Sequence, residues 1–524
     1  MATLQVSPAV AAADATTLEQ AVILLQSKKF SDKSEAIKLL VEYGNPAVKG
    51  VLLALLESQL YHQQADQRLV IATPKEGGEL FHDALSGEPL LAVTQEQLKK
   101  IAINNAMRSE IRSALAIMDL RHPEASTRLA AVTQMLDRPD ADNAALLRPL
   151  LDKEEDSRVS EMMTMVIALA NLLSEDRQLR KEAVETLDGS LHPAIRNGLV
   201  TLQQSTSDKA FAATISRVVA NIDSKLQFYS FLENLFFGLS LGSVLVLAAI
   251  GLAITFGVMG VINMAHGELI MIGAYTTYAI QLLMPNQIGL SVVVAIPAAF
   301  LISGLVGIAI ERGVIRFLYG RSLETLLATF GISLILQQTV RSIFSPLNRS
   351  VATPEWMSGA WEINSALSLT FNRLYIIIFC LLVFAALFVV LKRTTLGLQV
   401  RAVAQNRAMA RAMGVRSEWV DAMTFGLGSG IAGIAGVALS QLTNVGPNLG
   451  QAYIIDSFMV VVFGGVGNLW GTLVSGMTLG VANKFLEPWA GAVLAKILVL
   501  LFIILFIQKR PRGLFPQQGR AAEG

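Results

Sequence analysis

The sequence has a single cysteine and few charged residues. Cys380 is the only cysteine among 524 residues, so an intramolecular disulfide is excluded, and its apolar surroundings leave the redox compartment open. Asp, Glu, Lys and Arg make up 16% of the chain, whereas soluble domains carry about a quarter of these residues. Because long apolar runs with almost no charge follow residue 225, a wholly soluble protein is excluded.

Several functional patterns are also missing. No basic stripe with interleaved aromatic residues occurs, which excludes a nucleic-acid-binding protein. No glycine-rich stretch is followed by Gly-Lys-Ser/Thr, so the chain does not hold ATP in a phosphate-binding loop. Residues 1–225 have no metal-ligand spacing and no nucleophile constellation, and their histidines are scattered: His62, His82, His122 and His192. We therefore predict no catalytic residue, no metal site and no cofactor in this chain.

The net charge changes sign near residue 225. Residues 1–225 contain 24 Lys and Arg against 30 Asp and Glu, a net charge of −6, and residues 226–524 contain 18 against 11, a net charge of +7. The second part has apolar runs of about 20 residues, the length that a helix needs to cross a bilayer core with its backbone groups satisfied. We predict nine crossings, of which the seventh is short and has a re-entrant alternative: 234–257, 263–284, 289–311, 324–344, 373–391, 421–442, 452–467, 470–486 and 491–508.

The basic residues of the second part lie mainly in three segments. Thirteen of its 18 Lys and Arg residues fall in 312–323, 392–420 and the tail from Lys509, and cytoplasmic loops are enriched in these residues. The loop 345–372 instead carries two prolines and two tryptophans, which indicates an outer segment at the membrane surface. With the tail inside and nine crossings, residues 1–225 lie outside the membrane, on its outer side, and one crossing fewer would reverse this orientation.

Short amphipathic helices are predicted over 16–60 and 96–225. Weakly similar helical segments recur after Asp or His-Pro, which favours a HEAT-like stack of helix pairs. An irregular helical bundle explains the same pattern equally well. The apolar stretches on both sides of Gly77 and Gly78 predict a small hairpin or loop within 68–93.

The predicted fold class is all-α, with a soluble helical domain followed by a polytopic membrane domain of eight or nine transmembrane helices. A periplasmic domain needs an export signal, yet the first residues have neither a basic start nor an apolar stretch. Ala9-Val-Ala-Ala-Ala13 resembles the cleavage end of a signal peptide, so we expect a longer signal upstream. The predicted domains are a signal-peptide remnant, 1–15, the soluble domain, 16–225, the membrane domain, 226–515, and a cytoplasmic tail, 516–524.

The segment from Gly260 to Glu268 places Asn263, His266 and Glu268 at membrane depth. A carboxylate at the centre of a membrane helix costs on the order of 3 kcal/mol, so such groups face a bundle interior or an aqueous path. Two interpretations have equal support. In one, these residues line a translocation path; in the other, Asn263 caps a helix that restarts after Gly260, and the other two bond to neighbouring helices.

Two glycine-rich segments follow. In the first, small residues spaced four apart favour close helix packing, through Gly426, Gly430, Gly433 and Gly436. In the second, glycines either pack helices or expose backbone groups along a path, at Gly464, Gly465, Gly467 and Gly471.

A long, Ala-rich, basic loop over 396–414 is bounded by Gly397 and Gly414. This composition predicts a helix along the membrane surface, thin enough to dock against another protein. An ordinary basic loop is the alternative. The residues assigned to docking are Arg401, Ala402, Asn406, Ala410 and Gly414.

Residues 230–515 resemble the inner-membrane permeases of branched-chain amino acid ABC importers. The resemblance rests on four segments in combination: Gly260–Glu268, Thr329–Ser333, 401–414 and Gly464–Gly471. The helical extension before them resembles the urea-importer branch of that family. The resemblance implies that 401–414 is the coupling helix that docks an ATPase.

The resemblance also implies partners and a mechanism. The partners are a second homologous permease, two cytoplasmic ATPases that hold ATP and magnesium, a periplasmic substrate-binding protein and the lipid bilayer. The mechanism is alternating access in a multi-pass protein of the bacterial inner membrane, driven by ATP closing the ATPase pair.

We expect urea or a short amide as the solute, because a neutral solute needs amide and hydroxyl partners. A zwitterionic amino acid needs a cation and an anion along the path, and the sequence reveals no such pair. The expected path residues are Asn263, His266, Glu268, Thr329, Gln337, Gln338, Thr443 and Asn444.

Three alternatives remain. The first is a branched-chain amino acid permease of the same architecture. The second is a passive urea channel or secondary transporter, which the docking loop disfavours. The third is a membrane-tethered scaffold, which the polar residues at membrane depth disfavour.

Overall fold

The computed structural model describes residues 20–27, 29–43, 46–63, 68–75, 78–90, 97–136 and 139–516. The chain divides into two compact units, Met1–Lys225 and Leu226–Gly524. The expected signal-peptide remnant, 1–15, and nearly all of the expected tail, 516–524, lie outside the described residues.

The first unit is built mainly from short helices. They are α1 (Phe30–Tyr43), α2 (Pro46–Leu56), α3 (Asn105–Asp119), α4 (Ala125–Met135), α5 (Ala141–Leu151), α6 (Ser157–Asn171), α7 (Arg177–Thr186) and α8 (Pro193–Ser205). From α3 to α7, each helix packs against a helix that is near to it in sequence. This pattern of local packing is typical of a stack of helical repeats.

The first unit also contains an antiparallel sheet, so the prediction of an all-α chain is incomplete. The sheet has the order β3-β2-β1-β4, from β1 (Leu60–Gln63), β2 (Leu69–Lys75), β3 (Gly78–Asp83) and β4 (Leu98–Lys100). The expected hairpin is the β2–β3 pair. The prediction missed β1 and β4 because both strands are very short, and such strands carry little periodicity.

Polar side chains begin most helices of the first unit. An Asn or Asp accepts a hydrogen bond from a backbone N–H of the first turn in four helices, which satisfies a donor that the helix leaves free; these residues are Asn104, Asp140, Asp156 and Asp176. His192 does the same for α8, where its Nδ1 accepts from the N–H of Ala194 at 3.3 Å. The Nδ1 of His122 accepts from the N–H of Glu124 at 3.2 Å. Both His-Pro pairs therefore serve local turns.

The second unit consists of long apolar helices. The first of them is the part of α9 (Lys209–Met259) that follows Leu226. The others are α10 (His266–Leu283), α11 (Ile288–Gly313), α12 (Ser322–Phe344), α13 (Phe371–Arg393), α14 (Thr395–Gln405), α15 (Arg407–Ala412), α16 (Ser417–Ser440), α17 (Leu449–Gly464) and α18 (Leu469–Lys509). Within the described residues, six of these are long and apolar enough to cross a membrane: α9, α11, α12, α13, α16 and α18. The predicted polytopic helical membrane domain is confirmed.

Each of the nine predicted crossings coincides with helical structure. The last two crossings lie in α18 on either side of Gly491, whose φ of 75° interrupts the helix. The seventh corresponds to α17, which has only 16 residues. The second corresponds to α10, whose first turn contains His266 and Glu268.

Helix α16 lies at the centre of the second unit, against α10 and α11. Its glycines permit these contacts: a Cβ at Gly433 would lie 2.5 Å from the carbonyl oxygen of Ala299, and a Cβ at Gly273 of α10 would collide with the Gly433 carbonyl. Backbones in membrane bundles approach this closely only where the residues are small. The remaining glycines of this segment make similar close contacts, with Ile308 at Gly426, Phe300 at Gly430 and Ile270 at Gly436.

The segment between α12 and α13 forms a small hairpin, β5 (Ala360–Asn364) with β6 (Leu367–Thr370). Arg349 in this segment pairs with Val445 after α16 through backbone hydrogen bonds of 2.7 and 2.8 Å. Trp356 packs edge-on against Tyr375 of α13, with ring centroids 5.1 Å apart. The segment is thus fixed to the helix ends beside it.

Candidate functional site

A break between α9 and α10 positions the polar residues of the second unit. Helix α9 ends at Met259, and Gly260 has a φ of 67°, in the left-handed region that glycine adopts without strain. The side-chain oxygen of Asn263 then accepts from the N–H of Ala265 at 3.0 Å. The chain turns through this segment and restarts a helix at His266. The N-cap position of this helix is Ala265, without a side-chain cap, so Asn263 stabilises the turn before the helix and is not its N-cap.

Glu268 lies in the first turn of α10 and is only 1% exposed. Its Oε1 accepts hydrogen bonds from the Ser333 hydroxyl at 3.1 Å and from the Gln337 Nε2 at 2.8 Å. Both donors lie on α12. The carboxylate therefore joins two helices inside the unit.

Thr329 makes a second connection between the same regions. Its hydroxyl accepts from the N–H of Met264 at 3.2 Å and lies 2.9 Å from the carbonyl oxygen of Thr325, to which it donates. Thr329, Ser333 and Gln337 are spaced four apart, so they share one face of α12. Sequence reasoning omitted Ser333 from the path candidates, although this four-residue spacing would have identified it.

His266 faces the opposite direction. Its Nε2 lies 2.9 Å from the carbonyl oxygen of Ala248 on α9, and the ring is fully buried. This contact stabilises the packing of α10 against α9.

Three polar atoms in this region are buried without a partner among the described residues: Asn263 Nδ2, His266 Nδ1 and Glu268 Oε2. Each such atom costs about 1–3 kcal/mol. A carboxylate oxygen accepts N–H groups and an amide nitrogen donates to carbonyl oxygens. We name Asn263, Glu268, Thr329, Ser333 and Gln337 the Glu268 cluster.

The other predicted path residues lie elsewhere. Gln338 is exposed on α12, on a different face from Gln337. Thr443 and Asn444 are exposed after the end of α16, and the Thr443 hydroxyl donates to the Leu439 carbonyl at 3.2 Å. The structure does not bring these three residues into the Glu268 cluster.

The docking loop contains two helices, so the prediction of one helix bounded by glycines is wrong. Helices α14 and α15 meet at Asn406, whose extended backbone ends one helix and whose side chain accepts from the N–H of Met409 at 2.9 Å. Gly397 lies inside α14, whereas Gly414 follows α15 with a φ of 86°. The break arises because Asn competes for backbone hydrogen bonds and favours caps over helix interiors.

The two helices pack against their own chain through a small apolar cluster that includes Val400, Val403, Ala410 and Val420. Ala410 is 5% exposed, so it faces the interior of this chain. Arg401, Ala402, Asn406 and Gly414 are exposed. Leu398 on α14 is 61% exposed, and the exposed apolar side chains towards the end of the loop are Met409 and Met413, at 61% and 78%. Their spacing of four residues was a signal that sequence reasoning did not use.

Arg407 fixes α15 to α16. Its guanidinium donates to both carboxylate oxygens of Asp421, at 2.6 and 2.8 Å, and lies 4.0 Å from the centre of the Tyr319 ring. Burial lowers the pKa of the Arg407 guanidinium, but the hydrogen bonds to Asp421 and its charge outweigh burial and raise the pKa above its usual value. The pair is a fixed ionic contact beneath the exposed surface of the loop.

The second glycine segment forms a tight connection between α17 and α18. Gly464 and Gly471 pack directly on each other, so that a Cβ on either would collide with the other's carbonyl. Gly465 and Gly467 have φ values of 102° and 77°, which favour glycine. These contacts are packing contacts within the second unit.

Comparison with known proteins covers the second unit. The family described as branched-chain amino acid transport system, permease component, matches residues 234–507. The high-affinity branched-chain amino acid transport system permease protein LivH of Escherichia coli (strain K12) is 31% identical over 298 residues, which are 55% of this chain and 96% of LivH. No solved structure matches this chain.

Two further relatives have similar coverage. The high-affinity branched-chain amino acid transport system permease protein BraD of Pseudomonas aeruginosa is 30% identical over 298 residues, which are 55% of this chain and 96% of BraD. The ribose import permease protein RbsC of Escherichia coli (strain K12) is 24% identical over 293 residues, which are 53% of this chain and 87% of RbsC.

Proposed function

Because the chain belongs to the family of branched-chain amino acid transport permease components, we propose that it is the membrane-spanning subunit of an ATP-driven importer of branched-chain amino acids. The observation that carries this proposal is the family match over 234–507, which includes the Glu268 cluster and both loop helices. The relatives' names favour an amino acid over urea as the solute. The solute crosses the inner membrane by alternating access, and ATP hydrolysis takes place in partner subunits.

The proposed partners are two cytoplasmic ATPases, a second homologous permease and a periplasmic substrate-binding protein. In this proposal, the surface formed by Met409 and Met413 docks an ATPase, because both side chains are exposed and methionine adapts well to a partner surface. Ala410 supports that surface from beneath. ATP-driven closure of the ATPases then moves the loop helices, and the ion pair of Arg407 with Asp421 carries this movement to α16.

Uptake measurements test the solute and the energy source together. A strain that lacks the gene is complemented with the chain, and uptake of labelled leucine and labelled urea is measured. We expect complementation to restore leucine uptake and deletion of the partner ATPases to abolish it. Restored urea uptake with unchanged leucine uptake would overturn the solute assignment, and full uptake without the ATPases would overturn the importer.

Docking is tested separately by Met413→Glu, with Met413→Leu as the matched control. Glu places a charge in the proposed contact, whereas Leu keeps an apolar side chain of similar volume. We expect Glu to reduce co-purification of the ATPases at least tenfold while the amount of folded permease stays unchanged. Equal co-purification of both variants would contradict the docking surface.

Urea is the second candidate solute, and a specific observation favours it. The first unit lies outside the residues that the family matches, and a helical extension of this kind resembles the urea-importer branch. The Glu268 cluster offers hydroxyl, amide and carboxylate oxygens to a neutral solute. The uptake experiment above separates the two candidates.

We also propose that the first unit is periplasmic and that the basic loops are cytoplasmic. The chain has a single cysteine, Cys380, and it is fully buried. An introduced cysteine can therefore be labelled without competition from another exposed thiol. In a Cys380→Ala background, Leu173→Cys and Met413→Cys place thiols at positions 73% and 78% exposed. We expect a membrane-impermeant maleimide to label the thiol at 173 in spheroplasts and the thiol at 413 only after permeabilisation. The reverse pattern would overturn this orientation.

A further inference from the structure

A polar cavity lies in the membrane unit, and none of its lining residues belongs to the Glu268 cluster. Its volume is about 250 Å³, and it lies among the ends of α13 and α16 and the two halves of α18. The proposed orientation places these helix ends on the periplasmic side. The cavity is therefore on the side from which an imported solute arrives.

Charged residues surround this cavity, whereas the sequence revealed no cation–anion pair along the expected path. Lys484 and Glu487 form an ion pair of 2.5 Å, and Lys496 forms one of 3.1 Å with Asp456. The pair of Lys484 with Glu487 was not predicted, because both residues lie at the end of the predicted crossing 470–486. Charged side chains are common at the ends of membrane helices and do not by themselves indicate a site.

Arg373 adds a cation that these pairs leave without a carboxylate. Its guanidinium lies 4.6 Å from the centre of the Phe237 ring. Among the described residues no carboxylate lies within salt-bridge distance of it, and the charge of Glu487 acts on it from farther away. Guanidinium groups bind carboxylates through two parallel hydrogen bonds. The cavity thus offers a site for one additional carboxylate.

Asn483 adds an acceptor. Its side chain is only 8% exposed, and its Oδ1 is buried without a partner among the described residues. A buried amide oxygen without a donor is costly, and an ammonium group supplies the N–H that it lacks. The Glu487 carboxylate in the same lining accepts from Lys484 through its Oε2, and its Oε1 can accept from an ammonium group.

The cavity is also lined by apolar side chains, which include Leu241, Val244, Leu439 and Leu442. We propose that this cavity is an entry site for an α-amino acid with an aliphatic side chain, a proposal that rests on the proposed function. Arg373 binds the carboxylate, Asn483 and Glu487 bind the ammonium group, and the apolar wall contacts the aliphatic side chain. Urea has no apolar part to cover that wall.

Protection of a thiol from labelling tests this site directly. Thr443 is exposed and lines the cavity, so Thr443→Cys in the Cys380→Ala background places a reporter there. The probes are leucine, isoamylamine, which lacks the carboxylate, isocaproate, which lacks the ammonium group, and urea. We expect the assembled complex in proteoliposomes to show at least tenfold slower maleimide labelling with leucine and unchanged labelling with the other three.

Two variants connect the protection to the named residues. Arg373→Gln and Asn483→Leu should each raise the leucine concentration for half-maximal protection at least tenfold. The matched control is Arg341→Gln, since Arg341 is a cation near the same helix ends, bonds to Asn448 at 2.6 Å and does not line the cavity. In this control variant, leucine should protect the thiol at position 443 at the same concentration as in the parent protein.

The outcomes separate this site from the proposed function. The entry site is wrong, and the importer stands, if the parent importer transports leucine but leucine does not slow labelling. The same holds if leucine still protects the thiol normally in the Arg373→Gln variant. If urea protects and leucine does not, the amino acid assignment of the cavity is wrong. If the parent complex transports no leucine, the proposed function itself fails.

Discussion

Glu268 places a carboxylate inside a membrane helix, where it accepts two hydrogen bonds from α12. Hydrogen bonds to a charged acceptor contribute about 1.5–3 kcal/mol, and those to a neutral acceptor about 0.5–1.5 kcal/mol. The carboxylate thus stabilises one arrangement of α10 against α12 more strongly than an amide would. Since transport by alternating access moves helices relative to one another, we expect Glu268 to affect the rate of transport more than the stability of the fold.

We expect Glu268→Gln to reduce solute uptake roughly tenfold, equivalent to about 1.4 kcal/mol, while the complex still assembles. Gln keeps the size of the side chain and loses the charge. The control is Glu324→Gln on α12, because Glu324 is exposed and forms only a surface pair with Arg321. Uptake per assembled complex is the measurement. Loss of expression would instead show that Glu268 acts only in folding.

Glu154 provides a test of acid stability in the first unit. Its carboxylate accepts two hydrogen bonds from Arg128, at 2.6 and 2.8 Å, and these bonds lower the pKa of Glu154 below its usual value despite the opposing effect of burial. A lowered pKa in the folded state means that the pair stabilises the fold fully above the unfolded pKa of about 4.3. This stabilisation is lost as the pH falls through the folded pKa.

We expect Glu154→Gln to weaken amide protection in 125–171 at pH 7 and to weaken it less at pH 3. Hydrogen exchange of the full chain in detergent, corrected for the intrinsic rate at each pH, measures this difference. Glu155→Gln is the control, since Glu155 is adjacent and exposed. A difference that persists undiminished at pH 3 would contradict the ionic role of Glu154.

Single residues were predictable where their chemistry is local. The turn role of His192 followed from the neighbouring proline, and the placement of Glu268 in an interior followed from the cost of a charge in the membrane. The partners of Glu268 did not follow, because Ser333 and Gln337 lie 65 and 69 positions away. The separation of Thr443 and Asn444 from Glu268 was also not predicted, because it depends on how helices that are distant in sequence pack.

At the scale of the element, the close approach of α10, α11 and α16 defines the membrane unit. The approach depends on glycines that leave no room for a side chain, as at Gly433 against Ala299 and Ser303. Sequence spacing predicted small residues on a packing face. It did not predict that α16 is buried nearly all round, because a glycine pattern does not reveal how many neighbours a helix has.

We expect Gly433→Val to destabilise the membrane unit by about 3 kcal/mol or more, because overpacking a tight contact forces backbones apart. Gly331→Ala is the matched control: Gly331 is also helical, and a Cβ there meets nothing within 4 Å. Ala should be neutral or stabilise α12 by up to about 1 kcal/mol. The yield of monodisperse protein in detergent and its thermal midpoint report both effects. Normal yield of Gly433→Val would contradict the close contact.

The whole molecule combines two units that differ in composition. The apolar clusters of the second unit are drawn from residues after 226, and the family matches only 234–507. The change in net charge at residue 225 was visible in the sequence, whereas the four-stranded sheet was not. These facts indicate that the second unit contains what its own fold requires.

We expect a chain that begins at Leu226 to insert in the membrane, to bind the ATPases and to retain solute uptake within about threefold of the full chain when the binding protein is saturating. The physical reason is that no apolar cluster of the second unit loses a member in this truncation. Uptake per inserted chain and co-purification of the ATPases are the two measurements. A truncated chain that assembles normally and transports nothing would show that the first unit takes part in transport, whereas one that fails to assemble would show that the second unit depends on it for folding.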